Sequence, residues 1–340
     1  MTEIGRFLLK ALQYRTVLYL FLYVVYLAPT LTHGSTPRGV SYPKCAASMT
    51  YSSESSRPNN VINWLDLPTT FFENPSFQPS HTIAILPIGS IEQHGPHLPL
   101  GTDTILTEQL IHHTLQNHLI PNVEVILILP TITYGASFEH SSFKGTVSIP
   151  DLALNGYLEA LLKSGESAGL RKVVIVNGHG GQNANMELVI RKRRFDNTDA
   201  MLVGVDLQRM LTAAFTELGR EVEKSDRKVE GSRKAENIDW EWEKRYGIHG
   251  GLIETSIMMH FKPNLVQKKK REKFDFNAEF SNQRGEKLFA EGIYFGWKAE
   301  DLSLDGVLGD ARAASAELGE ILVEKVGKRL ASIFSQLGSR

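Results

Sequence analysis

The chain has 340 residues, which is enough for one to three domains with a large buried core. Its 37 basic and 38 acidic side chains give a formal charge of −1, so no global basic surface indicates nucleic acid as a partner. The single cysteine, Cys45, excludes a disulfide within the chain and a cysteine-rich zinc site.

The first 60 residues differ in composition from the rest of the chain. Three basic residues precede an apolar run over residues 16–28, a pattern typical of a secretory signal or a short anchor. The alternative is a leader upstream of the true start, with Met49 as an internal start. We predict that residues 1–60 comprise an N-terminal segment, either a signal or anchor or such a leader, followed by a disordered linker, and that residues 61–340 form one folded domain. We expect the domain to be cytoplasmic, with membrane contact only through residues 16–28; the alternative is that this segment exports or anchors it.

Apolar runs without polar alternation predict four strands that are buried on both faces. They cover residues 82–88, 123–129, 172–176 and 201–205. Amphipathic stretches predict helices after each of the first three strands and a final helix over residues 313–337. Residues 63–68 indicate a short helix or turn, and the charged residues 217–246 indicate a solvated insertion. The alternation of strand and helix predicts a three-layer α/β fold, helix–sheet–helix, with a mainly parallel central sheet.

Metal-ligand residue types follow the first and third predicted strands. Glu92 and His94 come after the first strand, and Asp103 lies at the start of the next helix, where it or Thr102 can serve as the cap. His179 follows the third strand in a glycine-rich loop. Because the carboxyl ends of parallel strands meet at one edge of a sheet, we expect these loops to converge.

A later motif adds His249 and, at the start of an apolar helical run, Glu254. Imidazoles and carboxylates without thiolates suit Zn, Mn or Fe better than Ca or Mg. Taken singly, Asp103 could be only a helix cap and Glu254 only a carboxylate that suits a helix N-terminus. Taken together, five residues are predicted to bind two divalent ions: Glu92, His94, Asp103, His179 and Glu254.

Three motifs in this order resemble the creatininase (creatinine amidohydrolase) family. They are residues 92–99 with Thr102-Asp103, residues 177–181, and residues 249–251 with the Glu-Thr-Ser of residues 254–256. Four shorter matches accompany them: Tyr134-Gly135, Glu139-His140, Gly145-Thr146 and residues 306–310. The resemblance covers about residue 62 to the C-terminus.

The resemblance implies a metal-dependent hydrolase that cleaves an amide-type C–N bond of a small molecule, with two metal ions and as a homo-oligomer, often a hexamer. The ions expected are Zn, with Mn or Fe as alternatives, and Asp103 falls on the bridging position. We predict His249 as the catalytic proton donor, because it is not needed as a ligand. Seven residues are expected to bind substrate or support the ligands: His97, Tyr134, Ser137, His140, Thr146, Gly180 and Gly181.

Two positions depart from creatininase itself. True creatininases have a ligand glutamate where this chain has Gly181, and many relatives have an acidic residue where it has Leu252. These departures argue against creatinine as the substrate. The alternatives are a deformylase or peptide-processing hydrolase of the same family and, in another class, a metal-binding protein without activity.

Overall fold

A computed structural model describes residues 60–196, 199–224, 238–282 and 296–339. The chain divides into two units, residues 1–54 and 55–340, and every described residue belongs to the second. The predicted leader, its apolar segment and the linker up to residue 59 lie outside the described residues. Within the described ranges, no helix has both the length and the apolar character needed to cross a membrane.

A five-stranded, entirely parallel sheet forms the centre of the fold. Its strands lie in the order β1-β3-β2-β4-β5. They are β1 (Asn60–Asn63), β2 (Thr82–Ile88), β3 (Val125–Ile128), β4 (Lys172–Asn177) and β5 (Met201–Asp206). A separate antiparallel pair is formed by β6 (Lys273–Phe274) and β7 (Gly309–Asp310).

Helices pack on both faces of the sheet and form the outer layers. In chain order they are α1 (Thr70–Glu73), α2 (Thr102–Asn117), α3 (Asp151–Ser167), α4 (Asn183–Phe195), α5 (Leu207–Lys224), α6 (Trp240–Tyr246), α7 (Leu252–Phe261), α8 (Ala278–Asn282), α9 (Ala299–Leu302) and α10 (Ala316–Gly338). Short 3-10 turns lie at Trp64–Asp66, Pro79–His81, Phe138–His140, Gly180–Gln182, Lys268–Lys270 and Ala311–Ala313.

Alternate residues of each central strand enter two separate cores. In β2, Ile83 and Ile85 pack with α2, α7 and α10, whereas Ala84, Leu86 and Ile88 pack with α3 and α4. Because both faces are covered, the strand reads as one continuous apolar run. The predicted three-layer α/β fold with a mainly parallel sheet is therefore confirmed.

Three details differ from the prediction. β1 was not predicted, because a strand of four residues with two apolar side chains has no readable period. Neither Thr102 nor Asp103 caps α2, since the helix begins at Thr102 and Gly101 precedes it. Residues 217–246 are not wholly a solvated insertion: α5 extends to Lys224 with Leu218 buried, and α6 follows; residues 225–237 lie outside the described residues.

Candidate metal centre

The site lies where the order of the strands reverses. β2 pairs with β3 on one side and with β4 on the other, and the loops after β2 and β4 leave at the same edge. Such a switch point opens a crevice between the loops. Gly178 allows the second loop to approach α2, because a Cβ there would lie 2.7 Å from the carbonyl oxygen of Asp103.

The two carboxylate oxygens of Asp103 each contact an imidazole from one of the two loops. Its Oδ1 lies 3.2 Å from His94 Nε2, and its Oδ2 lies 3.3 Å from His179 Nδ1. Ser90 donates to Oδ2 at 2.5 Å. The side chain lies in the first turn of α2 and is buried, so it faces the neighbouring loops instead of capping the helix.

Backbone carbonyls orient both imidazoles. His94 Nδ1 lies 3.1 Å from the carbonyl oxygen of Glu92, and His179 Nε2 lies 3.1 Å from that of Ala136. A carbonyl only accepts, so these nitrogens carry the ring hydrogens. The other nitrogen of each ring therefore faces the carboxylates, where it carries a proton in the ion-free protein and would offer its lone pair to an ion, as in histidine ligands whose orientation is set by a second hydrogen bond.

Glu92 is fully buried and has no hydrogen-bond partner on either carboxylate oxygen within the described part of the chain. Four histidine nitrogens surround it, from His179 Nδ1 at 3.1 Å to His94 Nε2 at 3.9 Å. A buried carboxylate is costly unless a positive charge compensates it, and here protonated imidazoles or a metal ion can do so. One atom each of Glu92, Asp103 and His179 lie within 4.8 Å of one another. The donor set therefore fits a divalent cation.

The charges of the cluster favour a cation as well. Burial alone would lower the pKa of His94, but Asp103, Glu254 and Glu92 raise it to about 9. Burial also opposes charge on His179, yet Glu92 and Asp103 raise its pKa well above the usual value. Against the penalty of burial, the same imidazoles hold the pKa of Asp103 well below its usual range. The carboxylates thus attract a proton or a metal ion to the position between them.

The third motif brings Glu254 to the same centre. Gly250 has a φ of 64°, a left-handed conformation that glycine adopts without strain, and its N–H donates to Glu254 Oε2 at 2.6 Å. Gln208 donates to the other oxygen, Oε1, at 2.6 Å. One atom each of His94, His249 and Glu254 lie within 4.8 Å of one another. All five predicted ligands therefore converge.

Two further imidazoles face Glu92. His249 Nε2 lies 2.7 Å from the carbonyl oxygen of Gln93 and so carries a hydrogen, which leaves Nδ1 at 3.7 Å from Glu92 Oε1. Gln93 accepts from Gly95 N–H through Oε1, so its Nε2 donates to His140 Nδ1 at 2.9 Å. His140 Nε2 therefore carries the hydrogen and lies 3.6 Å from Glu92 Oε1. Burial, with His249 and His179 nearby, lowers the pKa of His140 and keeps it neutral.

Glu139 fills the space next to Gly181. A Cβ on Gly181 would overlap Glu139 Oε1 and lie 2.5 Å from His179 Nε2. The buried Glu139 carboxylate places Oε1 3.4 Å from that nitrogen, and its Oε2 has no hydrogen-bond partner in the described ranges. A carboxylate of the neighbouring loop thus occupies the space that a side chain at position 181 would need. The sequence matched Glu139-His140 to the family but gave Glu139 no role in the site, because only the loop conformation places its carboxylate beside His179.

The remaining predicted residues lie at varying distances from the centre. Ser137 Oγ is 3.4 Å from His179 Nε2, and Thr146 Oγ1 accepts from Gln93 N–H at 3.1 Å. His97 lies apart from the centre and is buried against Phe274, and its Nε2 lies 2.9 Å from Thr255 Oγ1. Burial lowers the pKa of His97 to about 4. Gly180 and Gly181 line the cavity described below, whereas Tyr134 is half exposed and does not.

A cavity of about 1100 Å³ opens over the centre. Its floor includes Glu92, Asp103 and His179, one wall is formed by α5, and another by residues 297–308.

Glu243 lies in the charged stretch that was predicted to be a solvated insertion, yet its side chain is buried. It accepts N–H groups from Leu252 at 2.6 Å and from Asp310 at 2.8 Å. This carboxylate joins the loop of His249 to β7.

The fold and the site together define an α/β protein with a buried centre of carboxylates and imidazoles at the carboxyl edge of its parallel sheet. Residues 69–334 match the family Creatininase, described as creatinine amidohydrolase. The chain belongs to the creatininase family, as its motifs predicted.

Individual relatives span several activities. A mycofactocin precursor peptide peptidase of Mycolicibacterium smegmatis is 38% identical over 120 residues, 35% of this chain and 47% of the relative. One from Mycobacterium tuberculosis is 42% identical over 132 residues, 37% of this chain and 50% of the relative. The chain thus spans about half the length of these peptidases. A creatinine amidohydrolase of Pseudomonas putida is 22% identical over 251 residues, 71% of this chain and 84% of the relative.

The solved structures agree on the fold. A putative creatinine amidohydrolase from Bacteroides fragilis superimposes with a TM-score of 0.60 at 21% identity, covering 84% of this chain and 98% of that one. A structure described as creatininase Mn gives a TM-score of 0.59 at 20% identity, covering 82% and 98%. At this identity the similarity establishes the three-layer fold only, and the chemistry must be argued from the residues of the site.

Proposed function

We propose that the protein is a metal-dependent amidohydrolase that cleaves an amide-type C–N bond. The observation that carries the proposal is Glu92, a buried carboxylate without a hydrogen-bond donor in the described part of the chain, facing four imidazole nitrogens. Family membership supports the same chemistry, since relatives include a creatinine amidohydrolase and a deformylase.

Two divalent ions would be held, with Asp103 shared between them. One group comprises Glu92, Asp103 and His179, and His94 with Glu254 completes the other. Nitrogen and oxygen donors favour Zn, with Mn or Fe as alternatives. Structures described as creatininase of Zn-Zn type and creatininase Mn support this choice of metals. When bound, such ions lower the pKa of a coordinated water and polarise a carbonyl group.

His249 supplies the proton to the leaving nitrogen. Its Nε2 is engaged by Gln93, so the proton that it transfers is the one on Nδ1, which faces the centre. His249 also lines the cavity, within reach of a bound substrate. His140 stays neutral with its Nε2–H directed towards the centre, where it can donate to a substrate oxygen that gains negative charge.

The expected substrate is a small-molecule amide, either a cyclic amide or a formamide. The cavity also admits a second candidate, a peptide-processing hydrolase, because its volume of about 1100 Å³ lies at the upper end of the range for small-molecule sites. The 38–42% identity to peptide peptidases supports this candidate as well. Gly181 argues against creatinine itself. By family resemblance the active form is a homo-oligomer, often a hexamer, which light scattering of the purified chain tests.

The substitution Asp103→Asn tests the metal centre. It removes the charge that both ions would share while preserving size, so at least one of two bound ions should be lost. Metal analysis of the purified, zinc-loaded protein measures this loss, and a screen of creatinine, formamides and short peptides measures hydrolysis. Asp196→Asn, a change on the exposed end of α4, is the matched control. Unchanged metal content in the Asp103 variant would reject the centre, and bound metal without hydrolysis would favour the inactive alternative.

A further inference from the structure

A second group of metal-ligand residues lies at the far end of α2 from the catalytic centre. It consists of His113 on α2, His118 directly after the helix, and Glu324 on α10. One ligand atom from each lies within 4.8 Å of the others. Ten to fifteen residues of helix separate these histidines from Asp103, which corresponds to about 15–22 Å. The group is therefore separate from the site described above.

Both imidazoles direct Nε2 at the same carboxylate oxygen. Glu324 Oε2 lies 3.3 Å from His113 Nε2 and 3.5 Å from His118 Nε2. Ligand atoms of one tetrahedral zinc ion, with bonds of about 2.0–2.1 Å, lie about 3.4 Å apart. The two distances from Glu324 Oε2 thus match edges of a zinc coordination shell, and the third ligand atom pair lies within 4.8 Å. Lys328 holds the other oxygen, Oε1, at 3.1 Å and leaves Oε2 for the two rings.

The environment supplies two further signs of a ligand. His118 Nε2 is buried and makes no hydrogen bond to any described residue, although the carboxylate lies opposite it. Gly327 of α10 faces the two rings, and a Cβ there would lie 2.9 Å from His118 Nε2 and 3.2 Å from His113 Cδ2. Glycine inside a helix is destabilising relative to alanine, so this position keeps the space next to the nitrogens open at the expense of helix stability.

The C-terminal end of α2 favours a cation. His118 is the C-terminal cap of α2, where the partial negative charge of the last carbonyls attracts positive charge. Asn117 Nδ2 donates to the carbonyl oxygen of His113 at 2.9 Å and lies 3.3 Å from Nδ1 of the His113 ring, whose Nε2 faces Glu324. Side-chain exposures of 13–42% across the three residues leave an entry path from solvent.

We propose that His113, His118 and Glu324 bind a divalent transition-metal ion, with zinc as the preferred probe, and that the ion fastens the end of α2 to α10. Two imidazoles, one carboxylate and a water would complete a four-coordinate shell. The ion has a structural role here, because the site lies away from the catalytic cavity. This proposal does not depend on the proposed amidohydrolase activity.

Zinc stoichiometry of the full chain tests the proposal. The protein is stripped with chelator, reloaded with zinc, desalted and measured by elemental analysis. We expect His118→Ala and Glu324→Gln each to bind one zinc fewer than the unchanged chain, while His112→Ala, on the exposed face of α2, binds the same number. Gly327→Ala should lower the content likewise, because its methyl group blocks the site while both imidazoles remain.

The substitution Glu324→Gln affects a half-exposed side chain of similar size, so it keeps the test valid if His118→Ala does not fold. Hydrolytic activity, where present, should stay within twofold in Glu324→Gln. Equal zinc content in Glu324→Gln and the unchanged chain would overturn the proposal, and so would an equal loss in His112→Ala. Loss of metal only in Asp103→Asn would leave the catalytic centre as the sole site.

Discussion

At the residue scale, the hydrogen bonds of the imidazoles decide which atoms can do chemistry. His249 Nε2 is held by a backbone carbonyl, so the ring can deliver a proton only through Nδ1. Replacing His249 by alanine should retain the bound metal and lower turnover by about 10²–10⁴-fold, the range for loss of a general acid. Metal analysis alongside steady-state kinetics measures both effects. Loss of an ion together with activity would instead identify His249 as a ligand, since its Nδ1 also lies 3.7 Å from Glu92.

Metal binding should release protons from the centre. Burial lowers the pKa of His94, but the Asp103 carboxylate outweighs this effect, and the pKa is raised to about 9. Without an ion the ring is therefore protonated at neutral pH. An ion must displace that proton, and the apparent zinc affinity should therefore rise with pH up to about 9, by about tenfold per pH unit for each proton displaced.

Calorimetric titrations in buffers with different protonation enthalpies count the protons released. The same titration with His94→Ala serves as the comparison and should release fewer protons. An apparent affinity that does not change between pH 6 and pH 8 would contradict this account of the ion-free cluster.

At the element scale, Glu243 fastens α6 to the start of α7 and to β7. Its two oxygens accept buried N–H groups from Leu252 and Asp310. The substitution Glu243→Ala leaves both N–H groups without this acceptor and should lower the free energy of unfolding by about 3 kcal/mol. Urea denaturation measures the loss. Glu241→Ala, on the exposed face of α6, is the control and should change stability by less than about 0.5 kcal/mol.

Glu243 also has a pKa raised by burial to about 7. A carboxyl group whose folded pKa lies above its unfolded value stabilises the fold below the unfolded pKa, and this contribution is lost as pH rises towards 7. The stability difference between the unchanged chain and Glu243→Ala should therefore shrink as pH rises from about 4.5 to 7.

The elements show how far the sequence could predict the structure. Strand β2 was predicted at its observed bounds, and β4 and β5 to within one residue, because a strand buried on both faces is a continuous apolar run. The predicted ligands converge because parallel strands place their following loops at one edge. Glu139, Gln208 and Glu243 could not be predicted, since their contacts depend on loop paths and on helix packing that local sequence does not encode.

At the scale of the whole molecule, the N-terminal boundary can be tested by truncation. The boundary predicted at residue 61 falls inside β1, which begins at Asn60 and pairs with β3. A chain starting at Ser55 should keep the thermal stability and metal content of the full chain. A chain starting at Leu65 lacks β1, exposes the edge of β3, and should unfold at least about 5 °C lower and aggregate more readily.

Thermal unfolding and size-exclusion chromatography compare the two truncated chains. Equal stability of both would show that β1 contributes little to the sheet. Lower stability of the chain starting at Ser55 would show that residues 1–54 support the fold.

The overlap between position 181 and Glu139 has a consequence for the family's evolution. A side chain at residue 181 would need the volume that the end of the Glu139 side chain occupies, so Glu139 would have to turn away from His179 to admit it. The two positions should therefore covary among homologues.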